Sequence, residues 1–202
     1  KNEFIWLKEV DKFALTNAIY DLDNAFQKFF KEHSGFPKFK SKKSHKYSYT
    51  TNFTNNNIEV DFDNNKIKLP KLKLVKCKLH RKFDGKIKSA TISQMPSGKY
   101  FVSILVDTEI EQLPQNNNVY AFDLGLKEFL IDNHDNHIED PKAISKYENK
   151  LAKLQRQIAK KKKGSKNWNK QRIKIARLHE KISNIRKDFQ HKLSSKIINE
   201  NQ

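Results

Sequence analysis

The sequence predicts an α+β fold: an N-terminal helical piece, a small antiparallel β-barrel, a short β-hairpin and a long basic antiparallel helical hairpin. Three observations predict it. Apolar residues recur at three- and four-residue steps near the N-terminus and again after Pro141, whereas between 46 and 112 they alternate, punctuated by turn residues. Fourteen phenylalanines among 202 residues provide material for a packed core. The charge is also uneven. Residues 1–140 carry 22 Lys and Arg against 19 Asp and Glu, a balance of +3, whereas residues 141–202 carry 19 against 4, a balance of +15.

Residues 3–33 read as helical, with Ala14, Ala18, Leu22, Ala25, Phe26 and Phe29 on one face, packed against another helix. Asp11 is the predicted N-cap, and Trp6 and Leu7 belong to a preceding element. Gly35-Phe36-Pro37-Lys38-Phe39-Lys40-Ser41-Lys42-Lys43 ends the helix. It reads as an extended strap whose rings pack or stack while Lys38, Lys40, Lys42 and Lys43 face phosphates, or equally as a basic linker with two anchoring rings.

The β region opens with Ile58, Val60 and Phe62, which turn through Asp63-Asn64-Asn65 into Ile67 and Leu69. A further strand region starts at Pro70 and carries Leu72, Leu74, Cys77 and Leu79. Another runs from Ile87 to Met95 and turns through Pro96-Ser97-Gly98 into Lys99–Ile110, with Tyr100, Val102, Ile104 and Val106 on one face. Five or so short strands with tight turns suggest a small barrel or sandwich. Lys76, Lys78 and Arg81, with Lys71, Lys73 and Lys82, form either a phosphate-binding outer face or the ordinary polar half of alternating strands. The polar stretch Gln112–Asn118, containing Pro114, reads as a domain boundary, giving units 1–45, 46–114 and 115–202.

In Val119-Tyr120-Ala121-Phe122-Asp123-Leu124-Gly125, an apolar run ends in a carboxylate and a glycine. A buried strand can deliver a carboxylate to a sheet edge in this way, and carboxylate oxygens suit Mg²⁺. Paired Mg²⁺ ions stabilise the attacking and leaving oxygens of phosphodiester cleavage. The same pattern also suits an aspartate that only closes a turn. Asp132 and Asp135 sit in the turn Asp132–Asn136 and are weaker candidates. His134 and His137 have ligand-like spacing but no cysteines to complete a zinc site. A third strand is expected near His137-Ile138, and Pro141 is placed in the first turn of the next helix.

Ile144, Tyr147, Leu151, Leu154 and Ile158 define one helical seam. Ile175, Leu178, Ile182, Ile185, Phe189 and Leu193 define a second, and Lys160–Asn167 turns between them. The candidate nucleic-acid contacts here are Lys150, Lys153, Arg156, Lys160, Lys161, Lys162, Lys163, Lys166, Arg172, Arg177 and Arg186. A polyanion is the natural partner of such a segment, with salt-dependent affinity; a solvated basic helix is the alternative. The single cysteine, Cys77, allows no internal disulfide and fits a reducing compartment. No apolar run reaches membrane-spanning length. The chain begins at Lys1 and its only methionine is Met95, so the N-terminus is expected to have been cut away.

Several stretches resemble the OrfB-type proteins of bacterial insertion sequences, also called TnpB. These are Gly35–Lys42, Pro96–Ser103, Phe122–Lys127, Lys146–Arg156, Lys161–Asn167, Ala176–Ile182 and Arg186–Ser194. The resemblance covers nearly the whole chain. It implies a compact RNA-guided DNA endonuclease, formerly described as a transposase, with guide RNA and target DNA as partners, acting in the cytoplasm and at the nucleoid of a bacterial or archaeal cell. It further implies that 1–33 ends a helical recognition part, that 46–112 is a wedge-like barrel, and that 119–202 opens an RNase H-like (RuvC) nuclease. Asp123 matches that nuclease's first catalytic, Mg²⁺-binding aspartate. The family's later glutamate, final aspartate and four-cysteine zinc module have no counterpart between Lys1 and Gln202, so this chain alone is expected to be catalytically incomplete and to hold no zinc. A nuclease-dead nucleic-acid-binding module from a decayed insertion-sequence gene is the alternative. A helical-hairpin interaction protein, whose charge serves only solubility, is a third reading.

Overall fold

The computed structural model describes residues 3–41, 47–109 and 119–200, which fold as two compact units, Lys1–Ile110 and Glu111–Gln202. The fold is α+β, with three α-helices and three small antiparallel sheets among the described residues. The expected boundary 112–118, Ile110, Lys42 and Lys43 lie outside the described residues.

In the first unit a short 3-10 helix, Ile5–Lys8, contains Trp6 and Leu7 and precedes α1 (Lys12–Glu32). Asp11 caps α1 as its spacing predicts, accepting a hydrogen bond from the Ala14 N–H at 3.1 Å. His33 ends the helix in the left-handed conformation, φ 52°. Among the described residues, the partner of α1 is not a second helix. Its middle packs on β1 (Tyr47–Asn52), where the Asn17 amide donates to the Thr50 carbonyl at 2.9 Å. Its C-terminal aromatics meet the strap instead: the Phe36 ring stands edge-on to Phe26 and Phe29, with centroids 5.7 and 5.3 Å away. Phe39 is fully exposed, so one of the strap's two rings anchors and the other does not.

The β region forms two open three-stranded sheets and, among the described residues, no closed barrel. One sheet orders β1, β5 (Lys86–Gln94) and β6 (Tyr100–Asp107). The other orders β2 (Glu59–Asp61), β3 (Lys66–Leu69) and β4 (Leu72–Lys76). Both predicted hairpins form. Asn65 supplies the left-handed residue of the β2–β3 turn at φ 53°, and Gly98 does so for β5–β6 at φ 82°. Closure fails at β4. All five of its residues are exposed, among the described residues it pairs with β3 alone, and Leu79 falls beyond it in irregular chain. The two sheets instead share one core, Ile58, Ile67, Leu69 and Ala90, joined by Phe53, Val60, Ile87, Ile92, Val102 and Ile104. Tyr100, assigned to that inner face by alternation, is exposed at the strand end.

The second unit places a three-stranded sheet, β7 (Phe122–Asp123), β8 (Leu130–Asp132) and β9 (His137–Ile138), with two long helices, α2 (Ala143–Ala159) and α3 (Lys166–Glu200). The third strand lies where it was expected. Pro141 does not enter α2, because Lys142 intervenes in a left-handed conformation, φ 49°. The helices close on Ala143, Leu178 and Ile182, flanked by Tyr147, Leu151, Leu154 and Ile185. Ile144, assigned to this seam by spacing, is 55% exposed. The seam position there belongs to Ala143, whose missing bulk lets the helices approach. Gly164 makes the inter-helix turn at φ 84°, and the Ser165 hydroxyl caps α3 by accepting from the Trp168 N–H at 3.1 Å.

Truncating the buried Ile67 to Ala should destabilise the first unit by about 2–5 kcal/mol, whereas the exposed Leu74→Ala should cost about 0.5 kcal/mol or less. Urea unfolding monitored by circular dichroism checks this, and equal losses would contradict the shared core.

Candidate metal-ligand strand and nucleic-acid interface

Asp123 ends β7, the edge strand of the second unit's sheet, and pairs with Ile131 of β8. Ile131 in turn pairs with His137 of β9. Directly opposed residues of antiparallel strands project to one face. Asp123, Ile131 and His137 therefore share a face, while Phe122, Leu130, Asp132 and Ile138 share the other. The second face is the covered one: Leu130 is buried, and the ring of neighbouring Phe129 meets Phe189 of α3 edge-on at 5.1 Å. The expectation of a buried strand fails for β7. Both of its residues are exposed, as are Val119, Leu124 and Leu126, because an edge strand two residues long meets a neighbour on one side only. The carboxylate of Asp123 is consequently open to solvent on a strand with a hydrogen-bonded neighbour.

That strand is positioned by Asp132, a residue sequence reasoning ranked low. The Asp132 carboxylate accepts four hydrogen bonds: from the His134 N–H (2.9 Å), the Asn136 N–H (2.8 Å), the Asn136 side-chain amide (2.8 Å) and the Tyr120 hydroxyl (3.0 Å). Burial by itself would push its carboxyl up, but the bonds from Asn136, His134 and Tyr120 outweigh it and hold the carboxyl down at about 2. With its lone pairs so engaged, Asp132 serves the hairpin rather than a metal. Asn133 adds two ties to the strand entering β7. Its N–H donates to the Ala121 carbonyl at 2.9 Å, and its amide donates to the Val119 carbonyl at 3.4 Å. The signal that could have found Asp132 is the Asp-x-x-x-Asn turn itself, since aspartate at a turn bonds the backbone N–H groups that follow.

His134 and His137 do not converge as ligands. His137 places Nδ1 on the Glu128 carboxylate and Nε2 on Asp135 (3.1 Å). The bonds to Glu128, then to Asp135, push the imidazole above its ordinary value of 6.5. Asp123 lies two strand spacings from His137, about 10 Å across the sheet backbone. Among the described residues, no group of three or more His, Cys, Asp or Glu gathers to hold a metal ion.

The predicted nucleic-acid contacts distribute over both units. Lys38 and Lys40 flank the exposed Phe39 on the strap. Lys76, Lys78 and Arg81 are exposed at and beyond the end of β4. Near them, Lys68, Lys71, Lys73 and Lys82 line an open groove of about 1280 Å³ together with Glu59, Asp61 and Asp63, so that surface is electrically mixed. In the second unit Lys150, Lys153, Arg156, Lys160, Lys162, Lys163, Lys166, Arg177 and Arg186 are exposed, while Lys161 and Arg172 are half-buried. Sequence reasoning also missed Gln171, buried in the seam, whose amide donates to the Leu154 carbonyl (3.2 Å) and the Gln157 side-chain oxygen (2.9 Å). It fixes the register of the two basic helices.

Comparison with known proteins places this arrangement in the transposase class. Residues 101–202 match the family OrfB_IS605, described as "Probable transposase", and the chain belongs to that family. It is 32% identical over 194 residues to the Escherichia coli K12 protein named "Putative RNA-guided DNA endonuclease InsQ", covering 95% of this chain and 47% of that protein. It is also 32% identical over 203 residues to a "Putative RNA-guided DNA endonuclease" of Streptomyces pristinaespiralis, covering 99% of this chain and 50% of that protein. The chain thus spans about half the length of these curated relatives. Among the described residues, no helix is long and apolar enough to cross a membrane.

Two pH effects follow. Asp132 has its pKa depressed by folding, so its stabilisation is present above the ordinary carboxylate range and fades as pH falls from about 4 toward 2. Asp132→Asn should therefore flatten the acid limb of the stability profile; an unchanged limb would contradict the hydrogen-bond account. His137 has its pKa raised, so its contribution is full below about 6.5 and fades as pH rises through the higher folded value. In NMR titration Glu128→Gln should bring the His137 midpoint down, and an unmoved midpoint would contradict the pairing.

Proposed function

We propose that this chain is the nucleic-acid-binding and first-ligand portion of an RNA-guided, Mg²⁺-dependent DNA endonuclease encoded by a mobile element. The carrying observation is Asp123: a solvent-open carboxylate at the end of a paired strand, in a unit whose helices concentrate the positive charge. The family match and the names of the two relatives support the same reading.

In this reading Asp123 contributes carboxylate oxygens to a metal site of the RuvC-like kind. Mg²⁺, when bound, supplies charge neutralisation for an attacking and a leaving oxygen. Asp123 is exposed and meets an ion without displacing a hydrogen-bond partner, whereas Asp132 and the Glu128–His137–Asp135 cluster are already engaged. The remaining ligands come from sequence outside this chain, as the greater length of the relatives suggests. The first unit would serve as the wedge-like part, α1 as the end of a recognition part, and the helices of the second unit as contacts to guide RNA and target DNA. Sequence would be read by guide pairing and the backbone held by the protein.

The purified 202-residue chain should bind structured RNA or DNA with strong salt dependence and leave it uncut in Mg²⁺. Gel-based cleavage assays check the second point: Mg²⁺-dependent cutting that disappears in Asp123→Ala would contradict the incomplete site. Reversing the charge of Lys160–Lys163 should weaken binding and flatten the slope of log affinity against log salt. Unchanged affinity across several salt concentrations would remove that turn from the interface.

A further inference from the structure

A free strand edge presents unpaired N–H and C=O groups to any other strand, and proteins blunt such edges with lysine, proline, shortness or a covering helix. Most edges in this chain are treated in one of these ways. β1 is packed by α1, whose Asn17 amide takes the Thr50 carbonyl. β4 carries Lys73 and Lys76 among its five residues, β2 has three residues, and β7 and β9 have two each. β6 is the exception. It is eight residues long and, among the described residues, pairs with β5 alone. Its run Tyr100-Phe101-Val102-Ser103-Ile104-Leu105-Val106 contains no charge, proline or glycine. On the solvent face Phe101 is 46% and Leu105 61% exposed, whereas Val102 and Ile104 pack on the core from the other face.

This edge is complementary to itself. The Met95 N–H donates to the Lys99 carbonyl at 2.9 Å. Alternation from that bond turns the backbone groups of Phe101, Ser103 and Leu105 toward β5, and those of Tyr100, Val102, Ile104 and Val106 toward the free side. A second β6 can run antiparallel about a two-fold axis that passes through Ser103, normal to the sheet. Tyr100 then lies opposite Val106 of the second copy, and Val102 opposite its Ile104, so the outward-turned groups meet one another. On the solvent face Phe101 meets Leu105 of the second copy, an aromatic–aliphatic cross-strand pair. At the ends Lys99 meets Asp107, opposite in charge. Moving the axis to Ile104 or to Val102 would set Phe101 against Asp107 or Ser103 instead. A slip of one residue would oppose core-side to solvent-side positions. A strand of unrelated sequence needs no such palindromic match, so the match selects a second copy of this chain.

We propose that β6 is a self-association edge: two copies of this chain join β6 to β6 antiparallel, with Ser103 on the two-fold axis, and merge their three-stranded sheets into one. The pairing depends neither on nucleic-acid binding nor on Asp123 or metal. An interface built on one strand pair is small, so the dimer is weak and reversible.

Sedimentation equilibrium of the 202-residue chain, in high salt that strips bound nucleic acid, tests this. Between about 5 and 500 µM the mean mass should rise from 23.8 kDa toward twice that value. Ser103→Lys keeps an exposed side chain in solvent but opposes two ammonium groups at the axis, and should weaken dimerisation about tenfold or more. Leu74→Lys, the same change of charge on the exposed edge strand β4, should shift it less than twofold. Register is read by cysteine crosslinking with the native thiol removed. Cys77→Ser/Ser103→Cys should give a disulfide-linked dimer on mild oxidation. Cys77→Ser/Leu105→Cys should give little, because its two thiols lie about 13 Å apart along the strands. Circular dichroism verifies that each variant keeps its secondary structure. A monomer at every concentration, the result if another strand holds this edge, would overturn the proposal. So would a dimer that Ser103→Lys leaves intact, which would place association on another surface, or equal crosslinking from positions 103 and 105.

Discussion

The four hydrogen bonds to the Asp132 carboxylate hold the second unit's sheet in register. They join the end of β8, the turn into β9 and Tyr120, which enters β7. A strand of two residues has little pairing energy of its own, and β7 keeps its place through these side-chain ties and those of Asn133. The position of Asp123 therefore depends on a neighbouring aspartate whose lone pairs are spent on the protein. Two carboxylates nine residues apart in sequence do different work because one is saturated with donors and the other faces solvent.

The same division of labour runs through the helices. The seam is narrow and apolar, closed by Leu178 and Ile182 and keyed by Gln171, whose two hydrogen bonds satisfy a buried amide and fix the pairing. With the seam confined to one arc of each helix, the outer arcs are free to carry lysine. Lysine favours helix nearly as well as alanine, so dense positive charge costs little local structure. Mutual repulsion among those cations is relieved by solvent, by salt and, in the proposed function, by phosphate.

Much of this was legible in the sequence because its signals are local. The Asp11 cap, the Asp63–Asn65 and Pro96–Gly98 turns, the β7–β9 ribbon and both long helices each depend on residues within a few positions of one another. What was not legible depends on distant or geometric facts. The pairing of β1 with β5 joins Thr51 to Ala90, and no local pattern encodes it. Among the described residues, the open sheets instead of a barrel follow from β4 finding a partner only in β3. Ile144 fits the seam spacing, yet the smaller Ala143 takes the contact, since close approach rewards small side chains over apolar ones at that point. At the candidate site the proposed metal ligand Asp123 was visible as a carboxylate ending an apolar run, whereas its support was not. Asp132 and Tyr120 are brought together only by the fold.

The most direct test of the account follows the metal itself. A polypeptide in which this chain replaces the matched region of the Streptomyces pristinaespiralis relative can be crystallised with Mn²⁺, whose anomalous signal locates the ion. An Asp123 carboxylate oxygen is expected within about 2.2 Å of the metal. An ion bound elsewhere, with Asp123 out of contact, would contradict it.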